Sequence, residues 1–484
     1  MTLRIESYRT FWAKSLSDLA IQCIIDVMEK YINIDRDTPM LLPPDLREWI
    51  AGDDMVHFVI DAIEGMKING FKVNHRGTGS AQYPPRMMLA LLIYCYANGI
   101  FGSRRIERAT YRDIAVRYLT GNTHPDHDTI AKFRRENFEA VAECFVRVLE
   151  LAREMKLLRV GTVSIDGTKL KANASKHKNV GYERAGQLLE QLDIEVRDLM
   201  QKAEEADGRE EGAEQGLPEE LARREKLKSK LQEARGRLEE RAKARAQAER
   251  EEYERKRTDR DGRSGSSKGK KIKPPQEEPR PDEQANLVDA DSRLMRKSKR
   301  EGYEQAYNSQ AVVDADGSQL VLAARVTQCA SDSNELVANV KMVSESIGKV
   351  AVVLADSGYA NGAEVDQLQQ RSAKDKIEVY VAVSAEDRRR YDYRPERKED
   401  KPVKNICTPW KLQMKEKIET ETGRALYSRR KQTVEPVFGV IKAAMGFRQF
   451  LLRGLDKVRG EWQLVTMAYN FKRLWNLKIL AERG

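Results

Sequence analysis

Cysteine is sparse and shows no pairing pattern. The five residues, Cys23, Cys95, Cys144, Cys329 and Cys407, include no C-x-x-C, which argues against a disulfide framework or a zinc finger and suits a reducing cytoplasm. Long hydrophobic runs are also missing. The longest, Met87 to Phe101, is broken by Asn98-Gly99 and is too short to span a bilayer. No signal peptide opens the chain. The pair in His124-Pro-Asp-His127 has no cysteine or third ligand nearby, which weighs against a metal clip.

Positive charge is plentiful. The 484 residues carry a net charge of +10, and Arg424 to Gly484 holds 13 Lys and Arg against four Asp and Glu. Nucleic acid is the partner class this distribution favours. The length predicts two or three domains with a large core.

Residues 1 to about 60 read as helix-rich, with Pro43-Pro44 before Leu46, Trp49 and Ile50 as a helix start. From Pro84 the chain reads as a core helix, followed by short helices near Ser103, Tyr111 and Asp126 that meet at Gly- and Ser-containing turns. Arginines cluster there: Arg104, Arg105, Arg108, Arg134 and Arg135. Such a pattern fits a helix-turn-helix-like DNA reader or a plain helical bundle with a charged outer face.

Beyond it, Val160 to Asp166 alternates as a strand, and Asp166-Gly167 is expected to end it, with Lys169, Lys171 and Lys176 following on a helix-prone stretch. An acid at a strand end beside cations suits a metal ion near a phosphate backbone, and equally a solvated turn. Leucines then step at helical spacing through Leu188, Leu192 and Leu199 and again through Leu227, Leu231 and Leu238, on either side of a Gly/Pro turn. Together they predict an inserted antiparallel coiled-coil hairpin within residues 181–273. Its tail, Arg260 to Lys271, has a linker composition. A hairpin around Asp316-Gly317 follows, then a helix through Leu336, Val340, Val343 and Ile347. Next come an apolar strand, Val350 to Ala355, that ends in Asp356, a fifth strand, Ile377 to Val383, and C-terminal helices.

Without the insert, this order is that of a ribonuclease H-like mixed sheet with flanking helices. In that layout the first and fourth strands are neighbours, so Asp166 and Asp356 would meet, and a following helix would offer Glu435. Three carboxylates are the hard oxygen ligands that two Mg²⁺ ions require. The expected division is an N-terminal all-α DNA-binding domain, residues 1–155, and an α/β catalytic domain, residues 156–484, interrupted by the hairpin.

Six stretches in order, Leu41 to Trp49, Arg105 to Tyr111, Asn122 to Ile130, Ser164 to Lys169, Ala355 to Tyr359 and Val434 to Lys442, resemble bacterial insertion-sequence transposases of the DDE superfamily. The resemblance implies Asp166, Asp356 and Glu435 as catalytic acids and ligands of two Mg²⁺ ions, with Mn²⁺ as a substitute. It also implies double-stranded DNA as partner, both transposon ends and target, and at least a homodimer at work in the bacterial nucleoid. Many relatives place a Tyr, a basic residue and a Lys around the third acid. Lys442 stands at the expected seven residues after Glu435, whereas Arg430 fits its distance from Tyr427 but is one residue too far from Glu435, which leaves the roles of Tyr427 and Arg430 open. Pro436 disfavours helix at the preceding residue, so Glu435 is expected at a helix start or kink.

Overall fold

The computed structural model describes residues 45–72, 81–207, 217–261, 275–281, 283–296, 301–370, 376–383 and 408–483. The chain divides into two compact units, Met1–Trp49 and Ile50–Gly484. In the first, the described residues form one 3-10 turn, Leu46–Trp49, where a longer helix start was expected.

The second unit opens with α1 (Met55–Gly65), α2 (Pro85–Ala97), α3 (Ser103–Arg112), α4 (Ile114–Leu119), α5 (His127–Glu136) and α6 (Phe138–Glu154). Asp54, Asp113 and Asp126 cap α1, α4 and α5, each accepting a backbone N–H from the first turn, which satisfies donors that a helix start leaves open. Every residue of α2 from Met88 to Ala97 is buried, as its unbroken apolar sequence predicts. Edge-to-face aromatic contacts run from Tyr96 to Phe101, Phe447, Phe450 and Tyr307. These rings join the helical region to the sheet in one continuous core.

The chain continues through β1 (Thr162–Lys171), β2 (Asn179–Gly181), α7 (Tyr182–Asp207), α8 (Leu217–Asp261), β3 (Gln284–Asn286), β4 (Arg293–Met295), β5 (Glu304–Asp314), β6 (Val321–Thr327), α9 (Leu336–Lys341), β7 (Val352–Ala355), α10 (Gly362–Gln369), β8 (Glu378–Val381), α11 (Pro409–Glu419), α12 (Glu421–Gly439) and α13 (Leu455–Arg483). β1 is central, antiparallel to β5 on one side and parallel to β7 on the other, with β8 beyond β7 and β4 and β6 along the far edge of β5.

The expected break at Asp166-Gly167 does not occur. β1 runs on to Lys171 because nine consecutive residues pair with β5, from Val163 with Asp314 to Lys171 with Ala306, and this ladder outweighs the local turn preference of Asp-Gly. Lys169 and Lys171 therefore lie on a strand, and only Lys176 falls on a 3-10 turn, Lys176–Lys178.

α7 and α8 form the hairpin. Ala185, Leu192, Leu231, Ala234 and Leu238 make a small core of their own with Val180 and Ala285 from the two-stranded β2–β3 sheet at its base. The linker composition at Arg260 to Lys271 falls, apart from its first two residues, outside the described residues. The helix expected through Leu336 to Ile347 is α9 followed by a separate 3-10 turn, Glu345–Ile347.

Candidate active site

The parallel register of β1 and β7 matches Ile165 with Ala355, so Asp166, still within β1, stands beside Asp356, the first residue after β7. Asp356 caps a 3-10 turn, Ser357–Tyr359, accepting the Gly358 N–H at 2.8 Å. Asp166 exposes only 21% of its side chain. Burial, and next the charge of Asp356, push its carboxyl up to about 7; the Gly167 N–H, 2.7 Å from Oδ1, and the Arg430 guanidinium oppose that rise.

Arg430 enters from α12, is itself buried, and lies 3.9 Å from Asp166 Oδ2 and 3.7 Å from Glu435 Oε1. Its guanidinium stands 5.8 Å from the centre of the Tyr427 ring, and the Tyr427 hydroxyl donates to the Ala355 carbonyl, the residue before Asp356, at 3.3 Å. Lys442 Nζ donates to Thr168 Oγ1, two residues beyond Asp166 on the same face of β1. The structure thus brings Asp166, Asp356, Glu435, Tyr427, Arg430 and Lys442 together beside the C-terminal end of β7. Counting residues along the chain left Tyr427 and Arg430 open; their contacts with Ala355, Asp166 and Glu435 lie across the fold.

Glu435 is not at a helix start. α12 continues past Pro436 to Gly439 and then widens into a π turn, Val440–Ala444. Proline cannot donate to the Gln432 carbonyl one turn back; Gln319 Nε2, from the β5–β6 hairpin, donates to it at 2.9 Å instead. An outside donor and a wider following turn let the helix keep its proline.

A fourth acid, Asp332, escaped the sequence reading. It lies between β6 and α9, where Ser331, Ser333 and Asn334 give its surroundings the look of a solvated loop. Its Oδ1 accepts from Asn308 Nδ2 and Gln310 Nε2, both at 2.7 Å. Among the described residues, no three carboxylate, imidazole or thiolate groups already converge on one cation position. The donor set nevertheless suits a hard divalent ion: half-buried Asp166, Asp356 and Asp332 and the more exposed Glu435 all offer carboxylate oxygens, with one guanidinium between Asp166 and Glu435.

Of the candidate DNA contacts, Arg104, Arg105, Arg108 and Arg135 are exposed. Arg105, Arg108 and Arg112 line one cleft of about 330 Å³ between α3 and Ile100. Arg134 is a correction: it is buried, and Nη1 donates to Tyr96 Oη at 2.8 Å and to the Phe101 carbonyl at 3.1 Å, so it fastens α5 to α2. Lys169 donates to the Arg296 carbonyl at 3.1 Å and Lys171 pairs with Glu304 at 3.4 Å, while Lys176 is exposed. His127 meets Glu107 at 2.9 Å, and His124 contacts Thr110 at 3.1 Å and stacks on Tyr111; both histidines serve helix packing.

Central β1 with β5 and β6 on one side and β7 and β8 on the other, flanked by helices, makes the chain a ribonuclease H-like α/β protein with an N-terminal helical region. Residues 280–471 match the transposase DDE domain family, and residues 44–136 match the transposase domain family DUF772. The chain belongs to the insertion-sequence transposases of the DDE type. The first match spans Asp332, Asp356 and Glu435 and begins after Asp166. No curated protein and no solved structure matched the sequence. No described helix is long and apolar enough to cross a membrane.

Proposed function

We propose that this transposase binds the terminal inverted repeats of its element, hydrolyses phosphodiesters there with Mg²⁺, and transfers the freed 3′-hydroxyls into target DNA, acting as a dimer or higher assembly so that both ends are held. The observation that carries this reading is Asp166, within β1, standing beside Asp356 where neighbouring β7 ends, with Glu435 tied to Asp166 through buried Arg430.

Asp166, Asp356 and Glu435 would hold the divalent ions. When bound, these supply charge that activates a water or 3′-hydroxyl and stabilises the leaving oxygen in an in-line displacement. Arg430 supplies positive charge between two acids before an ion arrives, which keeps Glu435 near Asp166. Tyr427 fixes the end of β7, and so Asp356, through the Ala355 carbonyl. Lys442, held at Thr168, places a cation beside the acids where a phosphate would approach. Arg104, Arg105, Arg108, Arg135 and Lys176 supply phosphate contacts that position the duplex.

The test pairs a gel shift with a Mg²⁺- or Mn²⁺-dependent cleavage assay on a duplex built from inverted repeats flanking the gene, using wild type, Asp166→Asn and Asp356→Asn. Cleavage should fall by orders of magnitude in both variants while binding persists. Wild-type protein that binds the ends without cutting would be a silent transposase-derived DNA-binding protein. Cutting without preference for the ends would mark a general nuclease on this fold.

A further inference from the structure

The residues that pack around Asp332 give it a place in the same site, and the inference rests on the metal-dependent reading above. Gly167 pairs with Gln310 and Lys169 with Asn308 across β1 and β5, so the Gln310 and Asn308 side chains share the face opposite Asp166. Both amides donate to Asp332 Oδ1, and Asn308 also donates to the Cys329 carbonyl at 3.0 Å. Gln310 is fixed in turn: its Oε1 accepts from the buried Tyr359 hydroxyl and from Asn339 Nδ2 at 3.1 Å. Asp332 is therefore held by a built network, with one oxygen committed.

Its carboxylate rests where side chains are missing. A Cβ added to Gly167 would stand 2.8 Å from Asp332 Oδ1, and one added to Gly358 would stand 2.9 Å from Asp356 Oδ1 and 3.4 Å from Asp332 Oδ2. Contacts under 3.0 Å are not tolerated, so the glycine directly after Asp166 is what gives Asp332 room, while Asp332 Oδ2 and Asp356 Oδ1 both border Gly358. Oδ2 takes no hydrogen bond, and no basic side chain pairs with Asp332, among the described residues.

We propose that Asp332 is a fourth acid of the site, whose Oδ2 joins the shell of the divalent cation from the sheet face opposite Glu435. The amide clamp on Oδ1 aims that oxygen, and Gly167 gives the carboxylate room. Asp332→Asn retains an oxygen for the Asn308 and Gln310 donors and replaces only Oδ2 with a neutral amide.

The experiment titrates full-length protein with Mn²⁺ alone and reads free ion by electron paramagnetic resonance, alongside thermal melts in chelator. Asp332→Asn should weaken Mn²⁺ binding at least about tenfold, in the range typical of lost metal-supporting groups, and melt no lower than wild type. Binding equal to wild type in Asp332→Asn, with binding lost in Asp166→Asn and Asp356→Asn, would overturn this inference and leave the metal site standing. Unchanged binding in all three would remove the metal-site reading and this one with it. Should Asp332→Asn fail to fold, carbodiimide labelling of wild type decides: Mn²⁺ should protect Asp332 as it protects Asp166, and equal labelling with and without Mn²⁺ refutes the assignment.

Discussion

Replacing Asp166 with Asn should stabilise the metal-free protein at alkaline pH. The carboxyl is raised to about 7 from an ordinary 3.8, first by burial and then by Asp356. A raised carboxyl means that the folded chain holds its proton more tightly than the unfolded chain. The stability this proton brings is fully present below the unfolded value and is lost as pH rises through about 7. Near pH 8.5 the ionised Asp166 should cost about 4 kcal/mol relative to a neutral isostere, falling to about 1 kcal/mol near pH 4.5. Asn keeps an acceptor for the Gly167 N–H and removes the charge, so in chelator its midpoint should exceed that of wild type by roughly 4–8 °C near pH 8.5. Excess Mn²⁺ should reverse the order, since only wild type gains binding free energy. Calorimetric scans at both pH values, with and without Mn²⁺, test this. An Asn variant no more stable than wild type in chelator at alkaline pH, or equally favoured at both pH values, would show that Asp166 is not strained by burial and its neighbouring acids.

Two further outcomes separate roles that composition merges. Arg105→Ala and Arg108→Ala should each reduce the salt dependence of DNA binding by about one counterion without lowering the melting temperature. Arg134→Met, which breaks bonds to Tyr96 and Phe101, should destabilise by about 1–3 kcal/mol in thermal melts while the salt slope is unchanged; a lost slope for Arg134→Met would return it to the DNA surface. Excising residues 182–283 and closing the gap with a short Gly/Ser joint should leave cooperative unfolding intact, because the hairpin buries its apolar residues in a separate core. Circular dichroism melts of the deletion check this, and loss of a cooperative transition would tie the hairpin to the main core.

The strand end at Asp356 was legible because an apolar run stops at an acid, and the hairpin because leucines step at helical spacing. What escaped depends on contacts between distant segments. Asp166-Gly167 carries a turn signal, but the β5 ladder continues through it. β2, β3 and β4 are three residues each, too short for alternation to register. Arg134 and Arg135 are adjacent in one helical turn, and only packing decides that the first turns inward to Tyr96. Pro436 predicted a helix start or kink, and the donor that makes it tolerable within α12, Gln319, is more than a hundred residues away in sequence. Asp332 had no local signal, since its partners lie on β5 and its gap is made by Gly167 on β1.

The insertion explains how such a site survives an interruption between its central strand and that strand's neighbour. The chain leaves at Asn179–Gly181 and returns at Gln284–Asn286, and these segments pair with each other. Asn286 Nδ2 donates to the Ser175 carbonyl at 2.8 Å and to Asn179 Oδ1 at 2.7 Å, while Asn179 Nδ2 donates to Gln305 Oε1 at 3.1 Å. Those bonds fasten exit and return to β5 itself, so closure is set at the base and the length of the hairpin adds only a slowly growing entropic cost. The register of β5 against β1 is then independent of what the hairpin does further out. That register places Gln310 opposite Gly167 and Asn308 opposite Lys169; a one-residue slip would turn both amides to the Asp166 face and release Asp332. The clasp at Asn179 and Asn286 is therefore coupled to the geometry of the acids, although neither residue approaches them.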